Sequence, residues 1–153
     1  MEINTRIFGT IGVDEERIIH FADGIIGFPD MKDFTLIHDA ENEAQVKIHW
    51  LQSIQEPSFA MPVLDPLVVQ AEYNPNVEDE LIKPIGELNA DNLLVLVTLT
   101  VPKEIENMSV NLQAPLIINA ENRKAVQVIV EDGKYPVKFP IYKILEAAKE
   151  GRA

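Results

Sequence analysis

The stretch that most restricts the fold is LLVLVTLTV, residues 93–101, in which every residue except two threonines is apolar. It is far shorter than the roughly 18 apolar residues that a membrane-spanning helix needs. A nearly continuous apolar run of this length is typical of a strand that is covered on both faces. Pro102 follows it and cannot extend a ladder of backbone hydrogen bonds. The sequence therefore predicts a central, buried strand that ends at Pro102.

Short segments rich in β-branched and aromatic residues recur along the rest of the chain, separated by turn-forming residues. Segments 116–119 and 126–130 are expected as neighbours of the central strand, joined as a hairpin by the polar sequence AENRKA. Within this hairpin Leu116, Ile118, Val126 and Val128 alternate as core residues. The other predicted strands are 3–8, 17–21, 34–38, 47–52 and 59–64. About eight strands indicate a mostly β domain.

Two details of strand placement follow from glycine and proline. Strand 3–8 is expected to pair with strand 17–21 across Gly9 and Gly12. Pro62 lies inside the apolar segment 59–64 and has no amide hydrogen to donate. We therefore expect this segment at a sheet edge or with a bulge.

A short acidic helical turn is predicted after Asn76. Glu78, Asp79 and Glu80 fall near its positive N-terminal end, and Pro84 ends it. Carboxylates in this position stabilise the helix dipole. They also form a compact negative surface, which suits either solvation or contact with a basic protein.

A second helix is predicted at the C-terminus, in IYKILEAAKEG. Its apolar residues Ile141, Ile144, Leu145 and Ala148 follow helical spacing, and Gly151 suits a C-terminal stop. At roughly twelve residues such a helix is marginal alone. It must either dock on its own domain or present an apolar stripe to a partner.

Composition excludes several kinds of chemistry. The chain has no cysteine, so disulfides and thiolate chemistry are ruled out. The three histidines, His20, His38 and His49, are not spaced as metal ligands, and Ser53 and Ser58 lack a nucleophile elbow. The beginning of the chain does not resemble a signal peptide. We expect a cytoplasmic protein without catalytic site, metal or cofactor, and without insertion into a membrane.

The charge is strongly negative and uneven. The net charge is −12, with −15 in residues 1–122 and +3 in the remainder. Such a surface repels the phosphates of nucleic acids and attracts basic partners. Direct binding of nucleic acid is therefore not expected.

The loop FADGIIGFPD, residues 21–30, carries two glycines in a Gly-x-x-Gly spacing that could clamp a phosphate backbone or turn the chain. It has no lysine or arginine, and Asp23 and Asp30 flank it, so a phosphate site is disfavoured. Gly24 and Gly27 suit positive φ angles, and Pro29 fixes the exit. We predict a structural turn that packs on the sheet as a plug through Phe21, Ile25, Ile26 and Phe28.

A family resemblance covers residues 1–142. The ordered segments FADGIIGFPD, WLQSIQEPSFAMPVLDP, LLVLVTLTVP, MSVNLQAPLIINAENRKAVQVIVED and YPVKFPI resemble the flagellar assembly factor FliW family. The resemblance implies a small antiparallel β-barrel-like domain with short peripheral helices, no catalysis, and binding of flagellin and of the RNA-binding translational repressor CsrA. Residues 143–153 match no family motif and are predicted to form a C-terminal helical tail.

Partner-binding residues are predicted from charge and position. The acidic and aromatic surface and the hairpin tip together give Glu72, Tyr73, Glu78, Asp79, Glu80, Asn122 and Arg123. Two other classes of function remain open from the residues alone. One is a β-barrel that binds a small ligand or catalyses a reaction in a pocket the sequence does not reveal, and the other is a structural component of a secretion apparatus.

Overall fold

Seven strands close into a barrel in a computed structural model that describes residues 1–38, 48–131 and 133–149. The described strands are β1 Glu2–Thr5, β2 Gly9–Gly12, β3 Ile19–Phe21, β4 Asp33–His38, β5 His49–Ser53, β6 Ala60–Leu64, β7 Leu93–Thr100, β8 Ser109–Val110, β9 Leu116–Asn119, β10 Lys124–Gln127 and β11 Phe139–Pro140. The helices are α1 Asp79–Ile82 and α2 Tyr142–Lys149, with short 3-10 turns at Glu15–Arg17, Pro66–Val68, Lys83–Ile85 and Ile105–Asn107. Lys47, the predicted start of a strand, lies outside the described residues.

The barrel runs in the order β7, β6, β5, β4, β3, β10, β9 and closes when β9 pairs with β7. Every neighbouring pair is antiparallel except β3 with β10, which run parallel. Closure pairs β7 with β9, two strands that would otherwise present open edges and invite aggregation. The prediction of a mostly β, barrel-like domain is confirmed.

The barrel interior is filled by side chains from all seven strands and from the loop after β3. Its buried residues are Ile19, Phe21, Ile25, Phe34, Leu51, Val63, Leu96, Leu116, Ile118 and Ala125. Phe21 and Phe34 meet edge to face, with ring centroids 5.6 Å apart. The barrel is therefore built around a packed core.

The central strand β7 is covered on both faces, as its apolar run predicts. Leu94 and Leu96 face the barrel interior, whereas Val95, Val97 and Leu99 join a second cluster on the outer face. That outer cluster includes residues of β8 and β11 and the start of α2. A strand with two apolar environments needs the nearly continuous apolar sequence observed.

The C-terminal helix packs against this outer cluster. Ile141 is fully buried, and Ile144 and Leu145 pack against the cluster, so the helix docks on its own domain. The Tyr142 hydroxyl donates a hydrogen bond to Glu146 Oε1 at 2.8 Å, which raises the pKa of Tyr142. The side chain of the predicted stripe residue Ala148 and the predicted stop Gly151 lie outside the described part of the chain.

The predicted pairing of strand 3–8 with strand 17–21 is wrong. β1 instead pairs with β2 in a separate hairpin, with Ile3 opposite Ile11. Gly9 adopts a φ of +67°, and the Thr5 hydroxyl donates to the Gly9 carbonyl oxygen at 2.8 Å and accepts from the Phe8 amide. The chain therefore reverses at once, and β3 is free to pair with β4 and β10.

Two further strand predictions need correction. β6 is an interior strand, with Pro62 opposite Trp50, one residue before pairing with β7 begins at Val63. The missing amide of Pro62 therefore falls where no β7 partner is present. β10 pairs with β9 and β3 rather than with β7.

The faces of the β9–β10 hairpin also differ from the prediction. Ala125 lies opposite Ile118, and Val126 lies opposite Ile117. Val126 and Val128 therefore pack with Ile117 and Ile85 in a third cluster outside the barrel interior. The predicted Leu116 and Ile118 are core residues of the barrel.

Candidate functional site

The loop FADGIIGFPD forms one wall of a groove. Phe21 and Ile25 are buried in the barrel, but Ile26 is 51% exposed and Phe28 is 44% exposed. The Phe28 amide donates to the Ile25 carbonyl oxygen at 2.8 Å, which closes a tight turn with Ile26 at its tip. The plug prediction is therefore correct for Phe21 and Ile25 and wrong for Ile26. Phe28 is partly exposed, but its ring packs on Phe59 with the ring centroids 5.0 Å apart.

The predicted glycine conformations in this loop are confirmed. Gly24 has a φ of +69° and Gly27 a φ of +89°. The turn is held to the barrel wall because the Ile26 amide donates to Gln127 Oε1 at 2.8 Å. Gln127 Nε2 in turn donates to the Ala114 carbonyl oxygen. One side chain thus fixes the loop against β10.

The opposite wall of the groove is helix α1 with the 3-10 turn that follows it, and the floor is β10 and the residues after it. The predicted acidic turn ended by Pro84 is confirmed by this segment. The groove has a volume of about 840 Å³. Its exposed apolar side chains are Ile26, Leu81 and Ile129, and its charged side chains are Asp23, Glu80, Glu131 and Lys124. The groove is therefore apolar with a predominantly acidic rim.

The β9–β10 hairpin positions α1 beside the groove. Asn119 is 3% exposed, and its Nδ2 donates to the Ile85 carbonyl oxygen at 2.8 Å. Asn122 Nδ2 donates to the same oxygen at 2.9 Å. Arg123 follows with a φ of +59°, and its carbonyl oxygen accepts from the His20 amide. The hairpin tip thus connects the 3-10 turn that follows α1 to the barrel.

The predicted partner-binding residues fall in two places. Glu78, Asp79 and Glu80 lie exposed on or next to α1, near the hairpin tip that carries Asn122 and Arg123. Glu72 and Tyr73 lie beside a different cleft, of about 470 Å³.

Tyr73 is buried within the outer cluster. Its hydroxyl donates to the Leu112 carbonyl oxygen at 2.7 Å, and its ring meets Tyr135 edge to face at 4.6 Å. These contacts hold the segment before α1 against the barrel. Its neighbour in the sequence, Glu72, is exposed.

The sequence analysis did not identify the apolar residues of the groove. Leu81 is 42% exposed and Ile129 is 52% exposed. Alternation along an extended chain could have identified Ile129. Val128 and Val130 are buried, so the side chain between them points the other way, towards solvent.

Ionisable groups near the groove are paired in one place. His20 Nδ1 lies 2.6 Å from Asp33 Oδ1, and the Asp33 amide donates to Gln55 Oε1 at 2.9 Å. Among the described residues, no three histidine or acidic side chains come together as a metal-binding group. In the same part of the chain, no helix is both long and apolar enough to cross a bilayer.

A packed, closed β-barrel with an acidic, apolar groove on its outside defines a small domain whose candidate site is an interaction surface. The FliW protein family model matches residues 2–141. The flagellar assembly factor FliW of Lachnospira eligens is 46% identical over 147 residues, covering 95% of this chain and 97% of the relative. The FliW of Treponema denticola is 35% identical, covering 97% and 98%.

A solved structure agrees with these sequence relatives. The crystal structure of a flagellar assembly factor FliW superposes with a TM-score of 0.83 at 27% identity, covering 93% of this chain and 97% of that one. The chain therefore belongs to the FliW family of flagellar assembly factors, and the predicted resemblance is confirmed.

Proposed function

We propose that this protein binds newly made flagellin and antagonises the translational repressor CsrA, so that flagellin synthesis follows flagellin export. The observation that carries the proposal is family membership over nearly the whole chain, with relatives named as flagellar assembly factors. In this scheme flagellin occupies the protein until it is exported. The freed protein then captures CsrA and releases flagellin translation.

Charge supports an interaction with an RNA-binding protein. The net charge of −12 favours encounter with a basic partner and opposes RNA close to the bound repressor. Glu78, Asp79 and Glu80 concentrate part of this charge on an exposed segment. We propose that this segment, with Asn122 and Arg123 at the adjacent hairpin tip, forms part of the partner surface, and that Glu72 extends it.

The same proposal makes the protein a cytoplasmic regulator without catalytic activity. The relatives are named as assembly factors and not as enzymes. Flagellin and CsrA would both be met in the cytoplasm before export.

Calorimetric titration with CsrA, repeated after saturation with flagellin, tests the proposed switch. We expect binding to CsrA that flagellin abolishes or weakens at least tenfold. Linkage requires that CsrA weaken flagellin binding by the same factor if both bind at equilibrium. Absence of binding to either protein, or unchanged CsrA affinity in the presence of flagellin, contradicts the switch.

Reversing the acidic segment should weaken CsrA binding. In a triple variant with lysine at positions 78, 79 and 80, we expect the affinity for CsrA to fall about tenfold at low salt. The reason is that carboxylates are replaced by side chains with the same positive charge as the basic partner. The matched control carries lysine at Glu2, Glu15 and Glu16, which are also exposed and change the net charge equally. Calorimetry at about 50 and 300 mM salt should show the difference shrinking as screening grows. Equal weakening by both variants would mean that only net charge matters.

A further inference from the structure

Beyond β3, the edge of strand β10 has no strand partner among the described residues. β3 and β10 pair only at His20 with Lys124 and at Phe21 with Ala125, after which β3 turns away into the glycine loop. On its other side the chain continues in register, since the Val128 amide donates to Pro115 and the Val130 amide donates to Gln113. Ile129 lies between these two residues.

Within the part of the chain that the structure describes, the backbone of Ile129 is open for pairing. Successive amides of an extended chain point to opposite sides, so those of Val128 and Val130 point to the segment that precedes β9 and that of Ile129 points away from it. Within the described residues, no backbone hydrogen bond involves Ile129. Its side chain is 52% exposed and lines the groove. An unpaired backbone edge beside an exposed apolar side chain is the arrangement that accepts an added strand.

The groove around this edge selects the chemistry of the added strand. Asp23, Glu80 and Glu131 line it, against Lys124 as the one cation among its described lining residues. Ile26 and Leu81 provide exposed apolar surface on the two walls. An extended segment with alternating apolar and basic side chains would bury the first kind on these walls and direct the second at the carboxylates.

We propose that this groove docks a short extended segment of a partner protein that alternates apolar and basic residues, by pairing with the backbone at Ile129. The segment adds a local strand where β3 has left β10. The loop tip at Ile26 and helix α1 at Leu81 hold it from the two sides. This inference does not depend on the identity of the proposed partners, because the groove is defined by its own edge, apolar walls and carboxylates.

Binding of a synthetic peptide tests the inference directly. The probe is the blocked hexapeptide Lys-Ile-Lys-Val-Lys-Val, and its counterpart has glutamate at each lysine position. In amide NMR spectra of the labelled full chain, we expect the basic peptide to shift the Ile129, Leu81 and Ile26 signals in a saturable manner. The acidic peptide should bind at least tenfold more weakly. Scattered shifts or equal binding of the two peptides would overturn the proposal.

Two substitutions at one position separate side chain from backbone. Ile129→Ser should weaken the basic peptide about tenfold, whereas Ile105→Ser, at an isoleucine that is 49% exposed elsewhere, should leave binding unchanged. Ile129→Pro removes an amide that bonds to no other backbone group and should also weaken binding. Wild-type affinity in the Ile129→Ser variant would overturn the proposal. So would dependence of the same signals on protein concentration alone, because the occupant would then be a second copy of the chain.

Discussion

Gly24→Ala is expected to lower the free energy of unfolding by about 2–5 kcal/mol, since strain and steric overlap act together. Gly24 has a φ of +69°, a conformation that disfavours any side chain. A Cβ atom here would also lie 2.4 Å from the carbonyl oxygen of Pro29 and 2.6 Å from its Cα. Both neighbouring atoms belong to the backbone, so relief requires movement of the whole turn. Because Ile25 is part of the barrel core, that movement reaches the interior.

Gly27→Ala provides the matched control. Gly27 has a φ of +89° in the same loop, but its Cβ would have no neighbour within 4 Å. Only the conformational strain remains, which costs about 1–2 kcal/mol. Urea unfolding of both variants measures the difference. Equal losses would show that the loop relaxes freely around Gly24, and would contradict the close contact with Pro29.

Asn119→Ala is expected to cost about 2–4 kcal/mol of unfolding free energy, because several buried polar groups lose a partner at once. Asn119 Nδ2 donates to the Ile85 carbonyl oxygen, and its Oδ1 accepts from the amides of Glu121 and Asn122. The side chain therefore holds both the hairpin turn and the end of the segment after α1. Its loss should loosen α1 and with it one wall of the groove.

The exposed neighbour Asn122 serves for comparison. Asn122→Ala removes a second donor to the Ile85 oxygen but leaves Asn119 in place, so we expect a cost of only about 0.5–1.5 kcal/mol. Hydrogen exchange of the α1 amides, measured with urea unfolding, distinguishes the two variants. Faster exchange in α1 should accompany Asn119→Ala. Unchanged exchange there would show that α1 is held by other contacts.

The sequence was informative wherever one strand carried its own signal. The apolar run of β7 predicts cover on both faces, and the structure places apolar clusters on both. Relations between strands were less predictable. Leu116 and Ile118 are core residues, but Val126 and Val128 lie on the other face, because Ala125 rather than Val126 pairs with Ile118. Side chains alternate with a period of two, so a shift of one residue in register reverses the face.

At the candidate site, too, features of a single segment were predictable from the sequence, whereas contacts between distant segments were not. Clustered carboxylates correctly predicted an exposed acidic helix. Tyr73, taken from the sequence as part of a surface, is placed by its hydrogen bond to Leu112, a residue 39 positions away. The groove depends on three segments, residues 22–29, 80–85 and 124–131, that only the closed barrel brings together. Local sequence patterns do not indicate which distant segments lie next to one another in the fold.

The parallel contact between β3 and β10 has a consequence for how the molecule is made. It joins His20 to Lys124, so the barrel closes through a contact between distant parts of the sequence. Contacts of this kind close large loops and form slowly. During synthesis the early strands are finished well before β10 leaves the ribosome. The groove cannot exist until that strand arrives, so the acquisition of a binding surface coincides with closure of the barrel.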